Sequence, residues 1–111
     1  QVAIPLLEHE GGIAAPSIVK NDHHYEMYFS VRDKIQYREI SEKAYRIKKA
    51  ISQDGVNWSR LSAIEVDTSE LGWDDFMTCY PEIVTTDRHT FMFYNGNGFG
   101  KTGIGFVEKS V

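Results

Sequence analysis

Residues 80–94 repeat a pattern that has already occurred 65 positions earlier in the chain. Pro16, Ile18, Val19, Asp22, His24 and Met27 return as Pro81, Ile83, Val84, Asp87, His89 and Met92, and Tyr28-Phe29 returns reversed as Phe93-Tyr94. These are six identities within the 14 positions 16–29, with no gap. A gapless internal repeat means that one supersecondary unit is built twice, and such units bury their apolar faces by packing on one another. The differences are as informative as the matches. Ser17 stands where the second copy has Glu82, Ser30 where it has Asn95, and Ala15 where it has Tyr80.

The unit is made of strands. Residues 13–20 and 25–31 are rich in β-branched and aromatic residues and flank the turn Asn21-Asp22-His23-His24, which reads as a hairpin. Residues 33–44 are polar, with a weak helical look across 41–44. Residues 45–52 and 61–66 read as two further strands, separated by Asp54-Gly55, a favoured tight-turn pair. Residues 67–77 form a loop carrying Trp73, Asp74, Asp75 and Met77. The second unit follows as strands at 79–85, 90–95 and 102–108, with a glycine-rich turn from Gly96 to Lys101. No sustained 3.6-residue periodicity occurs, so the chain is expected to be all-β.

Four strands in the first unit and three in the second leave one strand missing. The apolar run at residues 2–7 is the available candidate. Antiparallel four-stranded units repeated in this way are the blades of a β-propeller. The expected organisation is a single domain: residues 1–12 as an outer strand completing a blade, 13–66 as blade one and 67–111 as blade two. Two blades cannot close a ring, so copies of the chain are expected to assemble. Three copies giving six blades is the simplest ring, and two giving four is the alternative.

Composition narrows the partners. The net charge is −4, and the densest basic group, Arg46, Lys48 and Lys49, alternates with apolar residues like the face of a strand. Nucleic acid is therefore not the expected partner. No apolar run approaches the roughly 18 residues of a membrane helix. Cys79 is the one cysteine; it excludes an internal disulfide and reads as a buried packing thiol. No metal or cofactor is expected, since the adjacent His23 and His24 on a turn are a weak ligand set. The compartment stays open. A first residue of Gln rather than Met suggests further residues upstream.

Several stretches resemble a known group, the five-bladed β-propeller glycosidases of the arabinanase, xylosidase, invertase and levansucrase kind. The matching stretches are Ala15-Pro16-Ser17-Ile18-Val19, Met27-Tyr28-Phe29-Ser30-Val31-Arg32, and Tyr45-Arg46-Ile47 leading into Ser52-Gln53-Asp54-Gly55-Val56-Asn57-Trp58. Trp73-Asp74, Tyr80-Pro81-Glu82 and the run from Met92 to Gly103 continue the match. The likeness runs from about residue 6 to residue 107 and covers about two of that family's five blades. In the family the catalytic carboxylates point into the central channel from innermost strands. The resemblance implies that Glu82 is such a residue, with Asp74 as its partner and Asp75 as a substitute. Glycoside hydrolysis needs two carboxyl groups about 5–9.5 Å apart, and the blade that would carry the nucleophile has no clear match.

Sugar binding asks for less: an aromatic platform and a few fixed polar groups. Tyr80, Glu82, Arg32, Arg46, Trp73 and Asn95 can supply these where the strands point them towards the channel. The expected function is accordingly a carbohydrate-binding propeller module related to glycoside hydrolases, with its site at the channel. Two alternatives stand beside it. One is an active glycosidase whose site is rebuilt between protomers with Glu82 as acid or base. The other is a structural or interaction module, or a truncated glycosidase fragment. The stretch Ser52 to Trp58 resembles the Asp-box turn of sugar-processing propellers, and its expected role is structural.

Overall fold

Pro16 and Pro81 have no N–H to give to a ladder, and each lies within a break in strand pairing. The computed structural model describes residues 1–110. In it, β1 (Glu10–Lys20) pairs antiparallel with β2 (Tyr25–Asp33), and the register slips between Ala14 and Ser17. The same slip occurs where β5 (Cys79–Thr85) pairs with β6 (His89–Asn95), between Cys79 and Glu82. Each slip is a bulge of one extra residue. In each, the residue before proline takes a left-handed backbone: Ala15 at φ 53° and Tyr80 at φ 58°. The repeat thus extends to a backbone conformation that non-glycine residues rarely adopt. Such strain, of order 1–3 kcal/mol, persists only where the surroundings hold it.

The first sheet has the order β1-β2-β3-β4, with β3 at Arg46–Ser52 and β4 at Ser59–Arg60. The second has the order β5-β6-β7, with β7 at Ile104–Ser110. The chain is therefore all-β, with two antiparallel sheets of four and three strands that do not close on themselves. A single 3₁₀ turn, Ser41–Lys43, interrupts the long connection between β2 and β3.

Two sequence expectations are corrected. Residues 2–7 form no strand. They cross the outer face of the first sheet as irregular chain. There Ile4 packs against Met27, Phe29, Val31 and Ala50, while the Arg60 guanidinium donates to the Pro5 carbonyl (3.2 Å). The expected strand at 61–66 is also absent. Past β4 the Leu61 N–H still donates to the Lys49 carbonyl (2.9 Å); the chain then leaves β3 until the Glu65 N–H donates to the Ile47 carbonyl (2.8 Å) and Val66 bridges Ile47.

The two sheets meet face to face. Tyr28, Ile47 and Val66 from the first pack against Met92 and Tyr94 from the second, flanked by Val19, Ile83 and Trp73. Two serines bond the sheets together. The Tyr80 N–H, turned off its ladder by the bulge, donates to Ser30 Oγ at 2.7 Å. The Ile83 N–H donates to Ser17 Oγ at 3.1 Å. Both serines are buried, Ser30 completely. Cys79, also completely buried, lies beside Ala44, Tyr45 and Met77, and burial pushes its thiol up to about 12.

The tight turn after β3 is built as its sequence suggests. Asp54 Oδ1 accepts the N–H groups of Val56 and Asn57 at 2.9 and 2.8 Å. Those bonds hold the Asp54 carboxyl well below its ordinary range. Gly55 supplies the positive φ of 78°, and Trp58 packs onto the first sheet.

A buried ion pair ties β1 to β4. Both oxygens of Glu10 accept from Arg60 at 2.7 Å, and Oε1 also accepts the Leu7 N–H at 2.9 Å. Burial alone would raise the Glu10 pKa. The bonds from Arg60 and Leu7, with the charges of Arg60 and Lys48, outweigh it and leave the pKa below 4.5.

Ser30→Ala leaves the Tyr80 N–H buried without an acceptor. It should cost about 1–3 kcal/mol in urea unfolding, and an unchanged midpoint would show that the bond holds nothing. Because the folded pKa of Glu10 is depressed, its contribution to stability is complete above about pH 4.5 and fades as pH falls through the folded value. Glu10→Gln should therefore flatten the acid limb of a melting-temperature profile taken from pH 6 to pH 3.

Candidate functional site

At the end of the sheets where β5 begins, the loop before β3, the loop at 67–78 and the turn after β6 line an open cavity of about 500 Å³. Tyr37, Arg38, Asp75, Phe76, Met77, Asn97, Gly98 and Phe99 line it. Three of these eight residues, Tyr37, Phe76 and Phe99, are aromatic, and one guanidinium and one carboxylate stand among them.

Asn97 holds two of these loops together. Its Oδ1 accepts the N–H groups of Phe76 and Met77 at 2.9 and 3.1 Å. Its Nδ2 donates to Asp75 Oδ1 at 2.7 Å and to the Gly72 carbonyl at 3.3 Å. Its own N–H donates to the Trp73 carbonyl at 2.8 Å. One amide side chain thus uses its donor and acceptor capacity fully. The helical turn Asn97–Gly100 that carries it is unusual, because Gly98 and Phe99 are both left-handed, at φ 63° and 60°. This conformation turns the Phe99 ring towards Tyr45 and Tyr80, with centroids 5.8 and 6.4 Å away. Tyr45 and Tyr80 are themselves 6.1 Å apart.

Tyr37 forms the opposite wall. The Arg32 guanidinium lies over its ring at 4.0 Å and that of Arg38 at 5.0 Å. Cations at these distances are held by the ring's negative face. Arg38 makes no ion pair among the described residues, so its guanidinium keeps donors free at the cavity.

The seven residues singled out from sequence are distributed differently from expectation. Tyr80 belongs to the aromatic cluster that adjoins the cavity; burial, then the charges of Cys79 and Tyr45, raises its pKa, so its hydroxyl stays protonated at neutral pH. Asn95 reaches the same region by donating to the Phe99 carbonyl at 3.2 Å. Arg32 stands behind Tyr37. The other four are engaged or placed elsewhere.

Arg46 is buried, and its donors are committed to Asp67, Ser41 and the carbonyls of Tyr45 and Phe76. Trp73 stacks on Tyr94 at 5.2 Å. A Cβ at Gly105 would overlap its ring, so glycine there is what lets the indole lie against β7. Asp74 is buried beneath the second sheet, where its carboxylate accepts from Ser69 and from the Tyr94 hydroxyl (2.9 Å). Glu82 pairs across the ladder with Phe93 and is exposed on the opposite face from Tyr94. Asp74 and Glu82 therefore approach from opposite faces of one sheet and do not form a carboxylate pair within the chain.

Sequence reasoning passed over Tyr37, Arg38, Phe76, Met77, Asn97 and Phe99. The available signal was the aromatic Phe99 set between Gly98 and Gly100, a large apolar residue where a turn alone would need none.

No family model matches the sequence. The uncharacterized proteins MT1551 and Rv1502 of Mycobacterium tuberculosis, from strains CDC 1551 / Oshkosh and ATCC 25618 / H37Rv, are each 35% identical over 93 residues. That match takes in 83% of this chain but 28% of theirs. Among solved structures, one described as a glycoside hydrolase superposes with a TM-score of 0.70 at 18% identity, over 97% of this chain and 35% of its own. Another, described as a complex of BT0996 and RGII, gives 0.70 and 18% over 96% and 35%. These likenesses establish that the fold is shared with a glycoside hydrolase. The protein spans about a third of the length of both solved structures.

Asn97→Ala removes the acceptor for two loop amides. Hydrogen exchange at Phe76 and Met77 should accelerate markedly, with about 1–3 kcal/mol lost from overall stability. Unchanged protection at both amides would mean that the loop is held by other contacts.

Proposed function

We propose that this chain is a carbohydrate-binding β-propeller module related to glycoside hydrolases, with its ligand in the cavity between Tyr37 and Phe99. The observation that carries this reading is the composition of the cavity wall. Aromatic rings offer flat apolar faces to the C–H faces of a sugar ring, while Arg38 and Asp75 offer a donor and an acceptor to its hydroxyls. Tyr80 and Asn95 support this wall through Phe99. The fold shared with a glycoside hydrolase, and with a structure named for an RGII complex, supports the same ligand class.

The two sheets, each opening on a bulged strand before proline, are read as two blades, with β1 and β5 innermost. The ring is read as completed by copies of the chain, three before two. In this reading Glu82 and Asp74 serve no catalytic step within one protomer, because they lie on opposite faces of the second sheet.

Phe99→Ala should weaken binding of the best ligand from a glycan array at least tenfold, equivalent to about 1.4 kcal/mol, in a calorimetric titration. Arg38→Ala should weaken it as well, while Glu82→Gln leaves it unchanged. An absence of binding to every carbohydrate tested, with the chain folded, would reject the reading. Hydrolysis of arabino-, xylo- or fructo-oligosaccharides that Glu82→Gln abolishes would replace it with the catalytic one.

A further inference from the structure

Arg38 and Asp75 line one cavity with opposite charges, yet no ion pair joins them among the described residues. They are satisfied unequally. Asp75 accepts from Asn97 Nδ2 at 2.7 Å. Arg38 has only the face of Tyr37, 5.0 Å from its guanidinium carbon, and that contact uses none of its N–H donors.

Further positive charge gathers at the same walls. The Arg32 guanidinium lies over the Tyr37 ring at 4.0 Å and gives one bond, to the Asp33 carbonyl. Two glycines make room for it: a Cβ on Gly11 would fall 2.5 Å from Arg32 Nη1, and one on Gly12 3.3 Å from its Nε. At the turn after β6, a Cβ on Gly98 would fall 2.9 Å from Lys101 Cβ and 3.5 Å from its Cδ, so the Lys101 stem runs against a cavity-lining residue. Neither Arg32 nor Lys101 has an ion-pair partner among the described residues. Three unpaired cations thus stand around one carboxylate, in a chain whose net charge is −4. The sign of the molecule is locally reversed here.

We infer that the ligand of this cavity is an acidic sugar, a uronic acid residue whose carboxylate is held by Arg38. The inference rests on the carbohydrate reading above and narrows it. A guanidinium presents paired N–H donors in one plane, which match the two oxygens of a carboxylate. Sugar hydroxyls would leave the same donors with neutral bonds of about half the strength. The support behind Arg38 is already in place, because Arg32 and the two glycines fix the Tyr37 ring on which it lies. Little freedom is then left to lose on binding. Asp75 orients the ligand: it repels an acidic group and accepts from hydroxyls, so the carboxylate turns towards Arg38. Lys101 adds charge at the rim without a fixed bond.

The test is calorimetric titration of the full chain with oligosaccharides of glucuronate, galacturonate and mannuronate, each as the free acid and as the methyl ester. At least one free acid should bind about tenfold tighter than its ester, and added salt should shrink that gap. Arg38→Gln should abolish the preference and leave the ester affinity unchanged, while Arg38→Lys should keep part of it. Lys101→Gln should weaken the acid a few-fold and flatten its salt dependence. The comparison of acid with ester on the wild type needs no variant to fold. Esters that bind as tightly as acids, neutral sugars bound in preference to every uronate, or a sulfated oligosaccharide bound more tightly than all of them would overturn the inference and leave the carbohydrate reading standing. Arg38→Gln weakening acid and ester alike would overturn it too, since Arg38 would then support the wall rather than hold the carboxylate. No binding of any carbohydrate by the folded chain would reject both.

Discussion

The fold depends on one backbone N–H that has nowhere to go within its own sheet. The bulge at Tyr80 turns that group off the β5–β6 ladder and into the interior, where an unpaired donor costs far more than a bonded one gains. Ser30, completely buried on β2, accepts it. The left-handed strain at Tyr80 is held by this bond, by Pro81 behind it and by the Tyr45 and Phe99 rings beside it. Remove the acceptor and three things loosen together: the position of β5, the seal over Cys79, and the aromatic cluster that backs the cavity. A local irregularity thus sets the relation between the two sheets.

Much of this architecture is legible in the repeat, because scaffold positions that recur at a constant offset have to do the same job twice. Strand positions for β1, β2, β5 and β6 follow from it to within a few residues, and those of β3 and β7 from their own strand-forming runs. Outside the repeat, legibility falls. The apolar run at 2–7 has the length of a strand, but its partners are side chains on a sheet face rather than a free ladder edge. Residues 61–66 carry β-forming residues, yet the chain there leaves β3 after Leu61 and returns to it at Glu65 and Val66.

The divergent positions show a subtler limit. Ser17 against Glu82 and Ser30 against Asn95 are visible as differences, and a polar change inside a repeated frame invites a functional reading. Their meaning depends on which face of which sheet is covered, and that is a tertiary fact. In the first sheet these positions are bonds between sheets. Trp73, Asp74 and Arg46 were chosen for their chemistry, and the structure uses that chemistry internally, on Tyr94, Ser69 and the carbonyls of two loops. The cavity, by contrast, is assembled from loops whose convergence depends on Asn97, and a lone asparagine among glycines gives no hint of so many bonds.

Cys79 gives the molecule a built-in reporter. Its sulfur is sealed at the junction of the two sheets, completely buried, and burial pushes its thiol up to about 12, so almost none is thiolate at neutral pH. A thiol reagent can reach it only when β5 parts from Tyr45 and Met77. The rate of labelling at this single sulfur therefore measures how often the two sheets separate, which is a clock for the breathing of the molecule rather than for its chemistry.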